Sequence, residues 1–130
     1  MQELSLEQEI ASLKRRIRLA EEWEINLTTD LLRLEGRFIG LKKKAIHLRR
    51  ELAALREIEK ITQVWNLEHY ADFLDIKYKL SLEYSRLRVA SVRMREKCDD
   101  YSREIQNAKH AIDFLKTKLE EAQLQKAGNL

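Results

Sequence analysis

Apolar residues recur along this chain at alternating steps of four and three. From Leu6 the series is Leu6, Ile10, Leu13, Ile17, Ala20, Glu24, Leu27, Leu31, Leu34, Phe38, Leu41, Ala45, Leu48, Leu52, Leu55, Glu59 and Thr62. Only Glu24, Glu59 and Thr62 break it. Written as heptads a to g, the d positions from Leu6 to Leu55 hold Leu at seven of eight places. This spacing keeps one stripe facing a partner helix along a left-handed seam. A second run is equally regular: Tyr70, Phe73, Lys77, Leu80, Tyr84, Leu87, Ser91, Met94, Cys98, Tyr101, Ile105, Ala108, Ile112, Leu115, Leu119 and Ala122. The pattern predicts an all-α chain with two long helices, about 4–62 and 70–125, in one elongated coiled-coil domain over 1–130.

The two runs differ in phase by four residues, and the slip falls at 63–69, Gln63-Val64-Trp65-Asn66-Leu67-Glu68-His69. Either this segment is a turn, giving an antiparallel helical hairpin, or it is a stutter that a continuous coiled coil absorbs by unwinding. Asn66 is its only turn-type residue, which favours the stutter. The poor helix formers Thr62, Val64, Trp65 and Asn66 favour the turn.

Flanking charges do not separate these topologies. A parallel dimer has five attractive flanking pairs against three repulsive ones. A hairpin turning near Asn66 sets Asp30 opposite Glu104, Glu51 opposite Glu83 and Arg37 opposite Lys97, all of like sign. A turn near Gln63 repairs this by pairing Lys44 with Glu83, Asp30 with Lys97 and Glu9 with Lys118. Exposed pairs contribute only a few tenths of a kcal/mol each.

The expected self-association core is Leu13, Ile17, Leu27, Leu31, Leu34, Phe38, Leu41, Leu48, Leu52, Leu55, Leu80, Leu87, Ile105, Ile112, Leu115 and Leu119. A further apolar row occupies the b positions, chiefly Ile25, Leu32, Ile39 and Ile46, with Leu4, Ala11 and Ala53 extending it. The second helix adds Leu74, Ile76, Leu82, Val89, Val92 and Phe114 outside its seam. A two-stranded coil needs only a and d, so the extra stripe predicts more than two helices together. An oligomeric bundle, a homo-oligomer such as a dimer or a tetramer of paired hairpins, is the simplest arrangement.

Composition agrees with this: 36% of residues are charged, 44% are hydrophobic, Pro is absent, and there are three Gly, at 36, 40 and 128. The net charge of +3 is unevenly spread. Residues 33–56 carry eight basic and two acidic side chains, and 86–97 five and one. Paired helices would gather Arg37, Lys42, Lys43, Lys44, Arg49 and Arg50 with Arg86, Arg88, Arg93 and Arg95, beside Arg33 and Lys97. Such a band offers a surface for a polyanion such as nucleic acid, or for an acidic partner protein. No aromatic residues interleave it as single-strand binding sites require, so a solvated face is the plainer reading.

Catalytic, cofactor and metal motifs do not emerge. There is no Gly-rich phosphate loop, no Cys pair and no His-Glu-x-x-His. His69, Asp72 and Asp75 have helical spacing for metal ligation but read as polar residues at a helix start. The single Cys98 occupies a seam position, where a thiol acts as a small hydrophobe. Trp23 and Trp65 are candidate partner anchors. With no apolar run of membrane-spanning length and no leader pattern at Met1, a soluble cytoplasmic or nuclear protein is expected. The function this predicts is non-enzymatic: a scaffold or adaptor that associates with itself and with another protein.

Overall fold

The computed structural model describes residues 5–61 and 67–128. It contains two α-helices, α1 (Leu6–Ile61) and α2 (Leu67–Gly128), packed against each other as a helical hairpin. The sequence pattern therefore resolves in favour of the hairpin over the stutter. Of the segment 63–69, residues 67–69 begin α2, while 63–66, Trp65 among them, lie outside the described residues.

Helix α1 starts with a reciprocal cap. Ser5 Oγ accepts the Gln8 backbone N–H at 3.2 Å, and Gln8 Oε1 accepts the Ser5 N–H at 3.1 Å. This capping box satisfies two N–H groups that a helix start leaves unpaired, just ahead of Leu6. Glu7 and Glu9 in the first turn, and Lys60 in the last, carry the signs that the helix dipole favours. Gly36 and Gly40 lie mid-helix with ordinary helical φ and open space around them.

The chain divides into two compact units: Met1–Arg33 with Asp99–Leu130, and Leu34–Cys98. In the first, Leu27, Ile105 and Ala108 form a buried cluster with Leu31 and Tyr101 against it. Ala108 is 0% exposed, so the helices meet closely at that layer. Farther along, Lys126 Nζ lies 3.6 Å from Glu7. In the second unit, Lys77 Nζ donates to Glu59 Oε2 at 2.8 Å. Partner numbers fall on α2 as they rise on α1, the antiparallel order.

These contacts fit the register of a turn near Asn66, the one with like charges on the flanks. Its reason lies in the seam. Glu59 and Lys77 are the charged interruptions of their two runs, each 29% exposed, and this register makes them partners. Sliding by one heptad would separate two half-buried charges, at a cost of about 1 kcal/mol or more. The gain would be a few exposed pairs of tenths each. The seam pair outweighs the rim.

Candidate helix-docking surface

Every residue expected in the core is buried or half-buried, and the seam closes between α1 and α2 of one chain. Leu13, Ile17, Leu27, Leu31, Ile105, Ile112, Leu115 and Leu119 belong to the first unit, and Leu34, Phe38, Leu41, Leu48, Leu52, Leu55, Leu80 and Leu87 to the second. The seam is therefore used up inside the hairpin, and contact with another molecule falls to what lies outside it.

Much apolar surface does lie outside. Ile25 and Leu32 are each 63% exposed, Ile39 53% and Ile46 50%. On α2, Leu74, Ile76, Leu82, Val89, Val92 and Phe114 are likewise exposed. Single exposed apolar residues are ordinary, whereas rows of them mark contact sites.

In the second unit, the side chains of Phe38, Lys42, Ala45, Ile46, Arg88, Ser91, Val92 and Arg95 line a groove of about 260 Å³. Its origin is a layer with small residues on both helices, Ala45 on α1 and Ser91 on α2. Too little side chain fills the space between them. Ser91 Oγ is buried there without a hydrogen-bond partner. Lys42 Nζ sits 5.0 Å from the centre of the Phe38 ring, and the Arg88 guanidinium 5.9 Å from that of Tyr84. These cation–π contacts hold both cations beside the groove.

All ten residues of the expected basic band are exposed, and among the described residues none of them forms an ion pair. They do not form one patch. Lys42, Arg88 and Arg95 line the groove, and the heptad positions place Arg49 on the same side. Arg93 lies with Arg88, Val89 and Glu96 on the outer surface of α2. Heptad positions direct Lys43 and Arg50 away from the seam, and Arg37, Lys44 and Arg86 to the opposite flank. The segment sums of charge missed this division because they ignore helical phase.

In the first unit, Glu21, Glu24, Ile25, Thr28, Thr29, Ile112 and Lys116 border a cleft of about 430 Å³ and mixed charge. Thr28 and Thr29 turn their hydroxyls back onto the carbonyls of Glu24 and Ile25. Among the described residues, no three His, Cys, Asp or Glu side chains converge as a metal site, and no helix is long and apolar enough to cross a membrane. Compared with known proteins, the chain matches no family model, and neither a curated protein nor a solved structure proves similar to it.

Proposed function

We propose that this chain is a non-enzymatic assembly module, a helical hairpin that serves as scaffold or adaptor by docking further helices, copies of itself included. The observation that carries this reading is the exposed b-position row of Ile25, Leu32, Ile39 and Ile46. A side chain of this kind gains about 1.5–3 kcal/mol on full burial. Two in each unit, half to two-thirds exposed and one heptad apart, match the stripe one helix offers another. The seam already occupies the a and d faces, so this row serves a second contact.

Light scattering coupled to gel filtration tests the proposal. The expected outcome is a mass at a multiple of the single-chain value, returning to that value in an Ile25→Lys/Leu32→Lys variant. A wild-type chain that stays monomeric at high concentration, and retains no protein partner on affinity purification, overturns it.

A further inference from the structure

The charges around the groove identify what kind of helix it takes. In the second unit the e and b positions of α1 repeat one unit: Ile39 then Lys42, Ile46 then Arg49, Ala53 then Arg56, each pair three residues apart. On α2, Val92 and Arg95 repeat it, with Arg88 one turn earlier. After Glu35 no acidic residue occupies an e or b position up to Cys98. Apart from Glu35 at its edge and Glu59 in the seam, the acids of this unit take c, f and g positions, as Asp72, Glu57 and Glu83 do. Beyond Glu35 one flank is therefore apolar and cationic at its e and b positions, and the other mixed. The side chains confirm this at the groove, where Lys42, Arg88 and Arg95 surround Ile46 and Val92 with no carboxylate among the lining residues.

From this juxtaposition we infer that the groove flank of the second unit is the docking site for an acidic amphipathic helix of another protein. This inference rests on the helix-docking function proposed above and specifies the partner's chemistry. The partner's apolar side chains, at helical spacing, enter between Ile46 and Val92, and its Glu or Asp residues meet Lys42, Arg49, Arg88 and Arg95. The fit follows from charge complementarity. A second copy docking by the same flank would set these cations against themselves. Nucleic acid answers the cations but leaves the isoleucines without a counterpart, since phosphate contacts dominate its binding. A bilayer is flat, and the cations here border a concave groove. The groove is also smaller than the pockets that enclose small-molecule ligands, while a single apolar side chain suits it.

The test uses the full chain and a fluorescent designed peptide with Leu at positions i, i+3 and i+7 flanked by Glu. Anisotropy should report saturable binding to the wild type and little to a scrambled peptide of the same composition. Arg88→Glu/Arg95→Glu and Ile46→Glu/Val92→Glu should each weaken it at least about tenfold, as loss of central contacts does. Lys43→Glu/Arg50→Glu makes the same charge change away from the groove and should cost less than about threefold, the effect of peripheral charge. All these positions are exposed, and circular dichroism checks that each variant keeps its helices.

Equal binding of the scrambled peptide overturns the inference, as does equal loss in the Lys43/Arg50 variant. So does tighter binding of duplex DNA, or of phosphatidylserine vesicles, that depends on the same groove residues. If the peptide fails while light scattering still finds oligomers, the acidic partner falls and the assembly function stands. If both fail, both fall.

Discussion

Ser91 shows how one side chain can work against the fold that holds it. It occupies a seam position, and its Oγ is buried without a partner. A buried hydroxyl left unpaired costs about 1–3 kcal/mol in lost solvation. Ser91→Ala removes that atom while keeping the small volume of the layer, so it should stabilise the hairpin by about 1 kcal/mol. Chemical denaturation checks this, and an unchanged or lower midpoint contradicts it. Ala108 is the opposite case, a small residue with no exposure because Leu27 and its neighbours close over it. The heptad count places both residues in the seam but cannot tell a filled layer from an open one, because that depends on which residue stands across from each. The Ser5–Gln8 cap was readable directly as Ser-x-x-Gln ahead of an apolar run, and reasoning from the a/d stripe alone passed over it.

Between the two helices, the Glu59–Lys77 pair makes the same point about context. Each residue looks like a defect in its own run, and only the antiparallel register makes them complementary. Lys77→Leu alone should destabilise by about 1 kcal/mol, since it strands a half-buried carboxylate. Glu59→Leu/Lys77→Leu together should restore or exceed wild-type stability, because apolar replacements of a paired charge remove its desolvation cost. A double-mutant cycle by urea denaturation measures the coupling. A purely additive result would show that the pair does not set the register. Helix existence and seam identity were plain in the heptads, because neither strands nor loops sustain a 3.5-residue apolar period over so many turns. Topology was not plain, since a slip of four residues is the same mark whether the chain turns or unwinds. Rim charges pointed toward the other register because exposed pairs carry too little energy to guide it.

For the chain as a whole, the consequence of so much uncovered apolar surface is that stability and association should be linked. A partner that binds only the folded form stabilises it by mass action, and where the partner is another copy the melting temperature depends on protein concentration. For a chain of this size, raising the concentration about tenfold should lift the melting temperature by roughly 2–4 °C. The Ile25→Lys/Leu32→Lys variant should lose that dependence and melt where the dilute wild type does, because both positions are 63% exposed and contribute little to the hairpin seam. Calorimetry at two concentrations reads this directly. A melting temperature independent of concentration in the wild type would assign the exposed row to a different protein. The Arg88→Glu/Arg95→Glu variant should leave the concentration dependence intact, since neither residue belongs to the exposed row of α1. The exposed row then divides by chemistry: Ile25 and Leu32 of the first unit, in mixed surroundings, suit self-association, and Ile39 and Ile46 of the second, beside Lys42 and Arg49, suit an acidic helix.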